Sequence, residues 1–145
     1  MESNMQANDE QFMRLALKEA EKAFHKNEVP IGAVAIKDGN VIARAHNIRE
    51  TTQDPLGHAE IRLLKKVSKK LKSWRLQGVT VHVTLEPCLM CMGALLQTRI
   101  DRLVFGAMAP NSGVGDHQIE VTTGILGADS KKLLKHFFQV LRNPK

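Results

Sequence analysis

Val79-Thr80-Val81-His82-Val83-Thr84-Leu85-Glu86-Pro87-Cys88-Leu89-Met90-Cys91 is the stretch that decides how this chain folds. Val79, Val81, Val83 and Leu85 alternate with Thr80, His82 and Thr84, the period of two of a β-strand. The alternation stops at Glu86-Pro87, and Cys88 and Cys91 follow three apart, a spacing that brings two side chains to one face of a first helical turn. A strand therefore runs straight into a helix bearing two thiols. Pro87 is expected at the first helical position, where its missing N–H is no loss, and the positive helix end is expected to help keep both sulfurs as thiolates. The pair then sits at a strand's carboxyl end, where open α/β sheets generally place their ligands.

Upstream, Asp54-Pro55-Leu56-Gly57-His58-Ala59-Glu60 puts a histidine and a carboxylate two residues apart at the start of another helix. His58, Cys88 and Cys91 supply three soft ligands, which favour Zn2+ and leave its fourth tetrahedral position open, as in catalytic rather than structural sites. Glu60 would turn from the metal toward that open position, where a carboxylate can take a proton from bound water and return it to a leaving group. Each half has a plainer reading alone. Cys-x-x-Cys also serves as a redox pair or half of a structural zinc site, and His-x-Glu also falls on helix surfaces. The two halves together, in this order and with Pro87 before the first cysteine, favour one zinc site. His25, His46, His82, His117 and His136 have no partner at ligand spacing and read as surface or core residues.

The flanking segments alternate as a layered α/β domain does. Phe12, Leu15, Ala16, Ala20, Ala23 and Phe24 recur at helical spacing, with Asp9 and Glu10 near the expected positive start. Runs 31–36 and 41–45 flank Lys37-Asp38-Gly39-Asn40, a hairpin signal. The His58 helix should pack Ile61, Leu64 and Leu71 inward. Leu103-Val104-Phe105 and Ile119-Glu120-Val121-Thr122 complete about five strands. Ser130 is expected to cap a last helix with an apolar stripe of Leu133, Leu134, Phe137, Phe138 and Leu141.

A chain of 145 residues with 43% hydrophobic content suits one domain over 1–145. No apolar run is long enough for a membrane span, the start is polar without a signal-peptide core, and both cysteines belong to the metal motif, so a reducing cytoplasmic location is expected. The formal charge of +6 would attract phosphate backbones. Lys65, Lys66, Lys69, Lys70, Lys72 and Arg75 form one basic cluster, and Lys131, Lys132, Lys135, Arg142 and Lys145 another. Each reads equally as a solvated helix face or an RNA-facing patch.

His-x-Glu with Pro-Cys-x-x-C, together with Glu28-Val29-Pro30-Ile31-Gly32-Ala33-Val34, Asp54-Pro55, Val83 to Cys88, Arg102 to Ala107 and Gly124-Ile125-Leu126, resembles the cytidine deaminase superfamily. The resemblance is greatest to bacterial tRNA adenosine deaminases and runs from about Gln11 to about Arg142. It implies a three-layer α/β/α fold with a central mixed sheet, and hydrolytic deamination in which zinc-activated water attacks the carbon bearing the exocyclic amine and ammonia leaves. It further implies zinc on His58, Cys88 and Cys91, Glu60 as proton shuttle, Asn47 on the target base, Val29 and Pro30 as pocket wall, and a homodimer. Arg142 is the preferred phosphate contact on a tRNA anticodon stem-loop. Met108-Ala109-Pro110-Asn111-Ser112-Gly113 departs from the family, which usually has an aspartate and then a lysine where Ala109 and Asn111 stand, and the connection from Val114 to Gln118 is short. Those departures keep a second reading, a deaminase of a free base or nucleoside such as guanine or cytosine. A third, a zinc-stabilised binding module, leaves Glu60 without a use.

Overall fold

The structure is a computed structural model and describes residues 2–109 and 119–142, with side chains over 5–109 and 119–141. The elements run α1 (Glu2–His25), β1 (Gly32–Lys37), β2 (Asn40–His46), α2 (Arg49–Thr52), α3 (Ala59–Leu71), β3 (Val79–Leu85), α4 (Leu89–Gln97), β4 (Arg102–Ala107), β5 (Glu120–Thr122) and α5 (Gly127–Arg142). The five strands form one mixed sheet in the order β2-β1-β3-β4-β5. β1 is antiparallel to β2 and β3, while β3, β4 and β5 are parallel. α1 and α5 cover one face and α3 and α4 the other, the expected three-layer α/β/α arrangement.

Strand alternation divides the core into two apolar layers. Ala33, Ala35, Val81, Val83, Leu103 and Phe105 meet Leu63, Val67, Met92 and Leu95 of α3 and α4. Val34, Ile36 and Val104 meet Met13 and Ala16 of α1 on the opposite face. At Gly32 a Cβ would lie 2.0 Å from the Ala16 carbonyl oxygen, so only glycine lets α1 pack this closely on β1. The β1–β2 hairpin closes at the Lys37–Asn40 pair through Asp38 (φ 51°) and Gly39 (φ 77°), the two left-handed residues of the turn that matches strand twist.

Several local expectations are corrected. α1 begins at Glu2, so Asp9 lies two turns inside it, buried rather than at the helix start. Its carboxylate accepts from both terminal nitrogens of Arg102 (2.9 and 2.6 Å) and lies 2.9 Å from His82 Nε2. His82 is thus a buried polar side chain of β3 with a partner. Residues 49–52, between the hairpin and the His58 helix, form α2, an element with no counterpart in the sequence pattern. α4 begins at Leu89 with Cys88 as N-cap, which leaves Pro87 outside the helix rather than at its first position. Ser130 lies inside α5, buried, with no hydrogen-bond partner for its hydroxyl among the described residues; it caps nothing. Along α5 only Phe137 of the expected stripe is buried, while Phe138 and Leu141 are exposed, because α5 meets the sheet mainly through β4 near its edge. Ile61 is half-buried, and Leu63 and Val67 take the inward positions beside Leu64.

The first basic cluster proves partly structural. Arg62, Lys66 and Lys70, one helical turn apart on α3, donate to the carbonyls of His46 (2.7 Å), Arg44 (2.7 Å) and Ile42 (3.2 Å) on the outer edge of β2. These cations cover acceptors that an edge strand otherwise offers to another chain. By helix rise, the Lys69–Lys72 end of this cluster lies about 15–20 Å from His58.

Candidate metal centre

Two helix starts bring the predicted ligands together. His58 is the N-cap of α3 and Cys88 the N-cap of α4, and neither spends its side chain on capping. Both are extended in backbone (ψ 148° and 171°), which turns their side chains off the helix ends toward each other. His58 Nδ1 lies 3.7 Å from Cys88 Sγ and 3.5 Å from Cys91 Sγ, and all three ligand atoms fall within 4.8 Å of one another. This group fits a metal site. Cys88 is exposed and Cys91 buried, so the centre is open on the Cys88 side.

The electrostatics support a cation there. Burial lowers the His58 pKa, reinforced by Arg49 and opposed by Asp54, which favours the neutral imidazole that ligation requires. Burial pushes the Cys91 thiol up, with Glu60 and Cys88 adding to the effect. Burial thus opposes the thiolate form of Cys91, and a bound divalent cation would favour it.

Glu60, in the first turn of α3, is 4% exposed. Burial raises its pKa to about 7, against the lowering effects of its own backbone N–H and of Cys91. Such a carboxyl gains or loses a proton near neutrality. Asn47, the residue after β2, is committed on both sides: Oδ1 accepts from the Ala59 N–H (2.9 Å) and Nδ2 donates to the Val29 carbonyl (3.2 Å). It ties the start of α3 to the segment before β1. One amide hydrogen and one lone pair remain for a ligand.

Beside His58 lies a cavity of about 210 Å³ lined by Glu28, Val29, Ile31, Asn47, Arg49 and Glu50. Val29 lines this cavity, whereas Pro30 is buried and does not. Two residues without an assigned role in the sequence reading belong to this neighbourhood. Glu28 accepts hydrogen bonds from α2, and Glu86, buried after β3, accepts the Ala109 N–H (3.0 Å) and so fixes the segment after β4 next to the cysteine turn. Both stand inside quoted motifs, yet their partners lie more than twenty residues away and carry no local signal. Asn111 and the segment 110–118 lie outside the described residues, as does the side chain of Arg142, whose backbone ends α5.

Residues 7–142 match the family model of MafB19-like deaminases. The chain is 45% identical over 149 aligned positions to the tRNA-specific adenosine deaminase of Bacillus subtilis (strain 168), covering 94% of this chain and 92% of the relative. A solved structure from work on A-to-I editing by tRNA:A34 deaminases at the wobble position of transfer RNA is 39% identical, with a TM-score of 0.81 over 85% of this chain and 98% of that one. The guanine deaminase of Nitrosomonas europaea has the same fold, with a TM-score of 0.81 at 23% identity over 88% of this chain and 83% of that one.

Proposed function

This chain belongs to the MafB19-like deaminases and, within them, to the tRNA-specific adenosine deaminase family, and from that premise we propose that it hydrolyses the wobble adenosine of a tRNA anticodon to inosine, releasing ammonia. The observation that carries the chemistry is the convergence of His58, Cys88 and Cys91 within 4.8 Å, beside the buried carboxyl of Glu60. The identity along nearly the whole chain to a tRNA-specific relative carries the substrate.

His58, Cys88 and Cys91 would hold zinc. Their N–S separations of 3.5 and 3.7 Å suit a tetrahedron with Zn–N of about 2.0–2.1 Å and Zn–S of about 2.3 Å, whose N–S edge is about 3.6 Å. When bound, zinc supplies Lewis-acid activation of water. Glu60 handles the protons: its carboxyl accepts one from the attacking water, and the same carboxyl returns a proton to the departing amine, so adenosine and water become inosine and ammonia. Asn47 offers its remaining amide hydrogen and lone pair to the base, and Val29 lines the space the base enters. The cavity is smaller than the roughly 300–1,000 Å³ of drug-sized sites, which suits one base with the rest of a polynucleotide outside.

The family match over 7–142 supports one deaminase domain across 1–145. A homodimer follows from the family resemblance and is consistent with Leu89, 75% exposed next to Cys88. No helix among the described residues is long and apolar enough to cross a membrane, and the use of both cysteines in a reduced metal site fits a cytoplasmic location. Arg142, and the exposed Lys131, Lys132 and Lys135 earlier on α5, are the phosphate contacts we assign.

Mass spectrometry after incubating zinc-loaded protein with an adenosine-34 tRNA stem-loop, and separately with guanine, cytosine, adenosine and cytidine, tests the assignment. Inosine in the stem-loop is expected. Deamination of a free base alone would replace the tRNA reading with a small-molecule one on the same scaffold.

A further inference from the structure

The helix α2 forms one wall of the cavity through Arg49 and Glu50, yet nothing inside it explains why it is there. Four residues are too few for a helix to persist alone, and none of them is buried, so no apolar face anchors it. Its N-cap is Ile48, whose side chain cannot accept a hydrogen bond. The amides that a capping serine or aspartate would take, those of Glu50 and Thr51, donate instead to Glu28 Oε1 (3.0 Å) and Oε2 (2.5 Å). The Thr51 hydroxyl also donates to Oε2. The cap thus comes from a residue 22 positions earlier in the chain.

Glu28 is 1% exposed and makes no ion pair among the described residues. Burying a carboxylate in this way is costly unless its oxygens are fully used. Burial pushes its pKa up, but the hydrogen bonds of Thr51 and Glu50, with Arg49 nearby, outweigh that and hold it below the usual value. Glu28 is also covalently next to Val29, another wall of the same cavity. One side chain therefore fixes the distance between two walls. The return of the loop depends on the same turn: at Gly57 a Cβ would lie 3.0 Å from the Arg49 backbone, and the Ile48 N–H donates to the Gly57 carbonyl (2.9 Å).

We propose that Glu28 is a positioning residue, whose carboxylate holds α2 against the Val29 segment and so keeps the base cavity beside His58 open to substrate. The substrate in this statement rests on the deaminase reading above. His58 itself is held separately, because Asn47 secures the Ala59 amide at the start of α3. Losing the clamp should therefore weaken substrate binding while leaving the metal in place.

The test compares zinc-loaded wild type with Glu28→Gln, which sets an NH2 group against donors, and with Thr51→Val, which removes the hydroxyl alone. Hydrogen exchange over 49–54 should speed up by about tenfold in Glu28→Gln, with zinc content unchanged. KM for the adenosine-34 stem-loop should rise about tenfold with kcat within about twofold, and Thr51→Val should show the same split at about threefold. Unchanged exchange, a fall in kcat at constant KM, or loss of zinc in parallel with KM overturns the proposal. Should Glu28→Gln fail to fold, Thr51→Val decides by the same readouts. Should wild type not deaminate the stem-loop, the tRNA reading fails, and exchange over 49–54 still decides the clamp: faster upholds it, unchanged overturns it.

Discussion

Glu60 and Cys91 sit against each other with opposite requirements. In the proposed mechanism the carboxyl exchanges a proton, while a thiol that ligates metal has lost one for good. Burial alone raises both pKa values, which suits Glu60 but not Cys91. A cation held by His58, Cys88 and Cys91 would reconcile them, since it would deprotonate a coordinated thiol and leave the uncoordinated carboxyl free to carry protons. Glu60→Gln preserves the volume and removes only the proton transfer. We expect that variant to keep its metal and melting temperature while kcat falls by about 10²–10⁴-fold, measured on the stem-loop with metal analysis alongside; undiminished turnover would remove Glu60 from the mechanism. The residues of this centre were legible because their spacing is local: two cysteines one turn apart, a histidine two before a glutamate. The roles of Glu28, Glu86 and Asp9 were not. Each partner lies between 22 and 93 positions away.

The elements show what patterning reports and what it misses. α1, the hairpin, β3 and α4 were readable because apolar period and turn chemistry act within a few residues. α2 had no such pattern, being a turn capped from elsewhere. The alternation in β3 did not say what covers its polar positions; α1 does, and it supplies Asp9 to His82. At the outer edge of β2, Lys66 and Lys70 read as a basic cluster, yet their ammonium groups lie on backbone carbonyls. Both lysines are exposed, so each bond contributes little to stability, about 0–1 kcal/mol. Their effect should appear in association instead. The double variant Lys66→Met/Lys70→Met is expected to melt within a few degrees of wild type but to scatter light at lower protein concentration on warming, because the edge then offers free acceptors. Equal scattering would show that α3 shields the edge by bulk alone.

Across the whole molecule, two buried polar clusters tie the α1 layer to the sheet. Asp9 of α1 meets His82 of β3 and Arg102 of β4, and Glu19 of α1 meets His46 of β2, whose Nε2 accepts from Lys26 and whose carbonyl accepts from Arg62. For Asp9 and Glu19, burial raises the pKa but the hydrogen bonds and charges around them lower it further, to a net value below the ordinary one. For His82 and His46, burial lowers the pKa, with Arg102, Lys26 and Arg62 adding to it and the carboxylates opposing. A histidine with a lowered folded pKa binds its proton more readily when unfolded, so stability is full above about pH 6.5 and declines as pH falls from there toward the folded value. A carboxylate with a lowered pKa contributes stability above its unfolded pKa and loses it as pH falls through the folded one. Both signs agree. Glu60, raised to about 7, acts in the opposite sense over this range, so the histidine contribution is read in a Glu60→Gln background. There the urea midpoint should drop between pH 7.5 and 5.5, and the drop should shrink when His46→Gln is added; a flat midpoint in the Glu60→Gln background would contradict the assignment.

Local order along the chain determined the ligand set, the strand that delivers it, the hairpin and the α/β class, since each follows from contacts or periods within about a dozen residues. Tertiary structure alone decided the strand order β2-β1-β3-β4-β5, the burial that sets the state of Glu60 and Cys91, and the pairing of Asp9 with His82 and Arg102 and of Glu28 with α2. The physical reason is that a buried charge must find its partner wherever packing puts one, and sequence spacing says nothing about that distance.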